Sequence, residues 1–319
     1  VMAVSAGVLI LSYYSVIAGW TITYIPKAFL GEFVGTDATS ISKLFDDFVA
    51  NPGSVILAHT IFMAINYFII ASGVKGLEKA VRFLMPGLLL LLFILFLYSL
   101  TSGSFLDGVK FMFTPNFNAL NWDGVLTAMG LACFTLSIGM GAIMAYGAYL
   151  PQETSITNAT VSVVIADTGI AMLAGLVIFP LVFANGLNPG EGPDLVFKTL
   201  PLVFGQMQVG TFLATIFFIL LSFAALTSAL GLMEPAVAWM IESTEYTRKQ
   251  CAATIASIIW FLGLGSALSF NTMADFKFLN GTIYENVDFL TSNIMLPLGA
   301  VFTTFFAAVS YTHLTLPTK

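Results

Sequence analysis

Of the 319 residues, 58% are hydrophobic and only 9% are charged, with a formal net charge of −6. A soluble domain carries about 25% charged residues, so this composition excludes a water-coated globule, and no basic stripe is present to hold nucleic acid. Stretches 48–74, 83–106, 124–152, 199–233 and 289–318 contain no Asp, Glu, Lys or Arg. About 20 apolar residues cross the hydrocarbon of a bilayer as a helix. These runs are continuous rather than alternating, which favours helices over a barrel. The chain therefore reads as an all-α polytopic membrane protein, and Cys133 and Cys251 supply no disulfide framework.

Eight spans are expected, at about 1–27, 54–74, 83–102, 124–150, 157–184, 208–241, 250–270 and 288–309. Short connections (72–82, 151–156, 242–249) alternate with long ones (28–53, 103–123, 185–207, 271–287). Lys75, Lys79, Arg82, Arg248 and Lys249 crowd the short connections. Cation density in short loops decides orientation, so the short side is expected to face the cytoplasm. The sequence starts at Val1, already within an apolar segment. Its end, SYTHLTLPTK (310–319), resembles translated sequencing-adapter read-through. Residues 1–309 are accordingly expected to form a partial transmembrane domain and 310–319 a non-native tail.

In chain order, the first polar feature is SYYSVIAGWTITYI (12–25), whose Tyr13 and Tyr14 read either as an interfacial belt or as buried phenols needing partners. His59 follows, alone in its span. FTLSIGMGA (134–142) places Thr135, Ser137, Gly139 and Gly141 at the centre of a charge-free span. One reading is close helix packing through small residues. The other is a broken helix, tolerated at membrane depth only where it lines a cavity, with carbonyls and helix ends available to ions and a charged ligand. Asp167 lies in the next span, and an acid there marks an ion or proton path. The loop at 188–207, with turns at Gly192–Pro193 and Leu200–Pro201, is expected to fold back as a cap. AALTSALG (224–231) offers a carbonyl and two hydroxyls, half an oxygen cage for a hard cation, or ordinary hydroxyl back-bonding. Glu234, before Pro235, is a second such acid, read as lying in a hydrated cytoplasmic half rather than as marking a path.

Together YYSVIAGW, FTLSIGMGA, the Asp-Thr at 167–168, the cap loop and LTSALGLMEP resemble, in order, a bacterial neurotransmitter:sodium symporter, with the inverted-repeat secondary-transporter fold. The resemblance spans residue 1 to about 308 and implies family helices three to ten, without helices one, two and eleven. It implies Na⁺-coupled symport of a small apolar or aromatic amino acid by alternating access, in the inner (plasma) membrane. Tyr14 would meet the substrate carboxylate, and Ile10, Phe134, Ser137, Met140, Ser228 and Leu232 would wall the pocket. Of two sodium sites, one would use Thr135 and Asp167, the other the Ala224 carbonyl with the Thr227 and Ser228 hydroxyls. Phe134 would be the lid over the substrate, Asp288 the outer gate acid and Glu242 the inner one. Both sodium cages would be incomplete in this chain, which by itself is not expected to transport.

Leu131 replaces a frequent glutamine near the outer gate, and Ala171 stands where chloride-dependent members use a serine. Asp167 stands at a position often held by asparagine, and its fixed charge is expected to make transport chloride-independent. The alternatives are proton coupling through Asp167, a non-transporting amino-acid sensor, and an intramembrane enzyme using Ser137 or Ser228. The enzyme would need a base within reach, and His59 is the sole histidine with that potential, so no enzymatic activity is expected.

Overall fold

The computed structural model describes residues 2–101, 103–148, 150–151, 153–186, 192–279 and 281–315; the side chains of 74–77, 79–81, 83–84, 119 and 310–315 fall outside the described set, as does most of the expected tail. The helices are α1 (Met2–Phe29), α2 (Ala38–Ala50), α3 (Pro52–Ala71), α4 (Val74–Leu100), α5 (Phe105–Phe113), α6 (Trp122–Thr135), α7 (Ala142–Gly147), α8 (Ile156–Ala184), the single turn α9 (Gly192–Asp194), α10 (Leu200–Gln206), α11 (Gly210–Ser243), α12 (Arg248–Leu268), α13 (Ile283–Phe289) and α14 (Leu296–Thr315). Wider π-helical turns at Leu195–Thr199 and Leu290–Met295 join α9 to α10 and α13 to α14.

Among the described residues, α1, α3, α8, α11, α12 and the run Ile283–Val309 are long and apolar enough to cross a membrane. The other two expected spans take different forms. The span at 83–102 is the distal part of α4, whose helix starts at Val74 and absorbs most of the expected connection at 72–82. The span at 124–150 is split into α6 and α7.

Helix starts follow their caps. Thr247 and Gln250 form a reciprocal capping box that starts α12 at Arg248, and Thr282 with Glu285 does the same for α13. The second box carries the last span back to Ile283, into what reads as loop. It uses Glu285 as a cap, where an acid also complements the helix dipole.

The centre of the molecule is α1, packed against α11, α3 and α12. Close approach depends on glycine. A Cβ on Gly19 would lie 2.7 Å from the Ala58 carbonyl carbon, and one on Gly263 would lie 2.7 Å from the Ser12 carbonyl oxygen and 2.6 Å from the His59 ring. Membrane helices associate through this kind of contact, since lipid gives little hydrophobic drive between them.

A second, aromatic core closes the opposite end. Trp20, fully buried, meets the rings of Phe45, Phe197 and Phe270 at 5.0–5.6 Å. Phe197 comes from the 188–207 loop, and Leu200, Val203 and Phe204 beside it are buried, so from Gly192 onward the loop folds back as expected. Lys198 ties it to α2 through Asp46 at 2.9 Å and to Asp194 at 3.4 Å. Burial opposes the Lys198 charge, but the two carboxylates outweigh it and raise its pKa. Helix α2 itself is capped by Asp37, whose carboxyl is held below its usual range by the Ser40 side chain and backbone N–H.

Candidate functional site

The chain opens at FTLSIGMGA. Helix α6 ends at Thr135 and α7 begins at Ala142. The end of α6 is closed by Leu136 N–H to Ala132 O (3.2 Å), Ser137 N–H to Phe134 O (3.0 Å) and Ile138 N–H to Cys133 O (2.8 Å). Ser137, Gly139 and Gly141 then take φ of 55°, 84° and 83°. A left-handed serine is strained, and such residues gather at functional sites. The broken-helix reading therefore holds over simple packing.

Packing holds the break in place. A Cβ on Gly139 would lie 2.5 Å from the Leu296 carbonyl oxygen, and one on Gly299 would lie 2.8 Å from the Gly139 carbonyl oxygen, so the backbones of the break and α14 touch. From the other side, Gly7 of α1 faces the Met140 and Leu232 carbonyl oxygens, at 3.3 and 3.0 Å from a built Cβ.

A cavity of about 730 Å³ lies against the break. Tyr14, Phe134, Thr135, Ser137, Met140, Asp167, Thr227, Ser228 and Leu232 all line it. These residues come from α1, α6, the break, α8 and α11, over two hundred positions apart in sequence. The Thr135 hydroxyl donates to both Asp167 carboxylate oxygens, at 2.9 and 3.1 Å. Tyr14 and Ser228, from α1 and α11, line the same wall. The result is one apolar chamber with the Asp167 and Glu78 carboxylates, four hydroxyls and the phenols of Tyr14 and Tyr146 on its wall, the usual composition of a small-ligand site.

Some expected site residues sit elsewhere. Ile10 is fully buried in the core behind the wall, where Gly7, one turn away, lets α1 approach the break. Ala224 does not line the cavity, and its carbonyl accepts the Thr227 hydroxyl at 2.8 Å, the back-bonding alternative read from the sequence. Asp288 and Glu242 are also outside the cavity. Asp288 accepts the Ser292 hydroxyl at 3.0 Å, and Glu242 is exposed near the end of α11. His59 is turned away toward α12, with Nε2 3.2 Å from the Trp260 carbonyl oxygen, so it serves neither serine as a base.

Glu234 departs from the sequence reading. It is buried rather than hydrated, and its carboxylate accepts the Arg248 guanidinium at 2.6 Å, while Arg248 Nε donates to the Ile70 carbonyl at 2.9 Å. One ion pair thus joins the ends of α3, α11 and the start of α12. Glu78 was also not singled out. It lines the cavity and pairs with Arg82 four residues on, at 2.5 Å. The nearest sequence signal for either was a cation four residues after an acid or at a capping box, and neither spacing reveals the burial of Glu234 or the place of Glu78 beside the cavity.

A family model described as the sodium:neurotransmitter symporter family matches residues 31–280. The chain is 37% identical over 306 residues to YhdH, a sodium-dependent transporter of Bacillus subtilis, covering 96% of this chain and 68% of that one. It is 32% identical over 298 residues to a sodium-dependent transporter of Haemophilus influenzae, covering 92% and 65%. The chain thus spans about two thirds of the length of these relatives. The crystal structure of MhsT in complex with L-phenylalanine aligns at a TM-score of 0.91 and 41% identity, over 97% of this chain and 71% of that chain. Fold, matched region and relatives agree: the chain belongs to the sodium:neurotransmitter symporter family.

Proposed function

We propose that this chain supplies most of a Na⁺-coupled symporter for an aliphatic or aromatic amino acid, working by alternating access in the plasma membrane. The observation that carries the reading is the left-handed break at 136–141, lining a cavity beside the Thr135–Asp167 pair. An amino acid is a zwitterion, so its site must meet both charges away from water. The Tyr14 phenol serves the carboxylate, and carbonyls at the end of α6 serve the ammonium. Phe134, Met140 and Leu232 enclose the side chain, with Phe134 as the lid. MhsT holding L-phenylalanine supports this substrate class. One methylene in such a pocket discriminates by only about 1–3 kcal/mol.

The Asp167 carboxylate and Thr135 hydroxyl supply oxygens for one Na⁺ next to the substrate carboxylate. The Ala224 carbonyl with Thr227 and Ser228 supplies part of a second site. Na⁺ and substrate carboxylate each lower the cost of burying the other, and such coupling is reciprocal. Asp288 and Glu242 act as outer and inner gate acids.

Proton coupling is favoured as a second reading by one observation, that Asp167 is a titratable group opening on the cavity. Replacing Na⁺ by choline at constant pH separates the two. Loss of substrate binding supports Na⁺ coupling, and retained binding supports protons. Counterflow in vesicles, using protein from the complete reading frame, tests transport itself: exchange of labelled amino acid is expected, and binding without exchange would indicate a sensor. With Asp167 providing fixed negative charge, exchanging chloride for gluconate is expected to leave uptake unchanged. A collapse of uptake would show that this carboxylate does not substitute for the anion.

A further inference from the structure

The long connection after α1 walls another cavity, apart from the one against the break. It measures about 520 Å³, within the usual range of small-ligand pockets, about 300–1,000 Å³. Lys27 lines it from the last turn of α1, Lys43 and Asp47 from α2, and Ser54 from the first turn of α3. Leu44 and Phe48 form its apolar side, and both pack on the aromatic core.

The pocket holds charges of both signs, and not all of them are spent. Lys27 meets Glu32 at 3.4 Å. Lys43 and Asp47 are exposed and stand four apart on α2, yet they form no ion pair with each other or with any other of the described residues. A lysine placed before its acid is the weaker of the two helical orders. The Ser54 hydroxyl also has no partner among the described residues.

Depth narrows the choice of ligand. Lys27 lies near the end of the membrane-crossing helix Met2–Phe29, and Ser54 near the start of Pro52–Ala71. The pocket is therefore level with the surface of a bilayer, where headgroups lie. On the face of α3 that carries Ser54, Leu57, Ile61 and Phe68 follow at helical spacing and are 60%, 40% and 69% exposed. A polar pocket thus stands at the head of an uncovered apolar stripe that runs into the membrane.

We propose that this pocket holds the headgroup of a phosphatidylethanolamine molecule whose acyl chains lie along the α3 stripe. The Lys27 and Lys43 ammoniums and the Ser54 hydroxyl donate to the phosphate. The Asp47 carboxylate accepts from the primary ammonium of the lipid. A phosphatidylglycerol headgroup brings no cation to Asp47, and a choline headgroup has no N–H to donate. The proposal rests on the membrane-spanning fold and is independent of what the protein transports.

The test uses protein from the complete reading frame in detergent. Its melting temperature is titrated with short-chain phosphatidylethanolamine, phosphatidylglycerol and phosphatidylcholine, and with phosphoethanolamine as the chain-free headgroup. The ethanolamine lipid is expected to stabilise the wild type at the lowest concentration. Lys43→Gln is expected to weaken that response about 5- to 10-fold, the effect of one lysine at an anionic headgroup. Asp47→Asn is expected to reverse the preference, so that phosphatidylglycerol acts at least as strongly as the ethanolamine lipid. Equal responses to the three lipids, no response, or an ethanolamine response unchanged in both variants overturns the proposal. Phosphoethanolamine acting at the same concentration as the lipid overturns the role of the stripe and assigns the pocket to a soluble zwitterion. Native mass spectrometry of the wild type in an equimolar lipid mixture needs no variant: preferential retention of the ethanolamine lipid is expected, and equal retention of all three overturns the assignment.

Discussion

Replacing Gly139 with alanine is expected to destabilise the protein and to abolish substrate binding, whereas Gly147→Ala, eight residues along the same broken span, is expected to keep binding and to leave stability unchanged or slightly raised. Gly139 has φ 84°, and an added Cβ would meet the Leu296 carbonyl oxygen at 2.5 Å and the Ala300 nitrogen at 3.1 Å. The left-handed conformation alone costs a side-chain-bearing residue about 1–3 kcal/mol. The clash adds to this, because the atoms in the way are helix backbone and cannot rotate aside. Gly147 has nothing within 4 Å of a built Cβ and lies in α7, where alanine is about 1 kcal/mol better than glycine as a helix former. Thermal unfolding in detergent checks both. A Gly139→Ala protein that melts with the wild type and still binds substrate would mean that the contact between the break and α14 is dispensable.

Arg248→Met is expected to cost more stability than any surface charge change, about 3–5 kcal/mol, because it removes the cation that answers the buried Glu234 carboxylate. Glu234 is buried and Arg248 three-quarters so, with side-chain exposures of 1% and 25%. The guanidinium also answers the Ile70 carbonyl, so its loss loosens α3 from α12 as well. Adding Glu234→Met to Arg248→Met is expected to recover much of the loss, since replacing both members of a buried pair by apolar groups is often close to neutral. The exposed pair Arg82–Glu78 gives the comparison: Arg82→Met is expected to shift stability by about 1 kcal/mol or less. Melting temperatures of the four proteins provide the measurement. Equal losses for Arg248→Met and Arg82→Met would contradict the burial argument.

These contrasts show what was legible in the residues. The break was readable because its signal is local: two glycines two apart, with hydroxyls beside them, inside a span that needs neither. Asp167 was readable because a charge at membrane depth is costly wherever it points. The start of the last span was not, since Glu285 looks like loop until Thr282 is recognised as a cap. Helix α2 was missed for a similar reason. Its signal, Asp37 followed by Ile41, Leu44, Phe45 and Phe48 at helical spacing, is short and lies in a segment read by its length as a connection. The burial of Glu234, the place of Glu78 in the cavity wall and the turn of Ile10 away from it depend on which helix lies opposite. Periodicity within one helix carries no information about that.

We propose that the opened helix and Asp167 bind a sodium ion and an amino acid together. The direct measurement is equilibrium binding of labelled L-phenylalanine to protein from the complete reading frame, in Na⁺ and in choline at the same pH, for wild type and Asp167→Ala. Binding that saturates with Na⁺, vanishes in choline and weakens about 10- to 100-fold in Asp167→Ala, the loss of a charged hydrogen-bonding group, is the predicted result. Equal binding in the two salts, or an Asp167→Ala protein whose Na⁺ dependence matches the wild type, would contradict it.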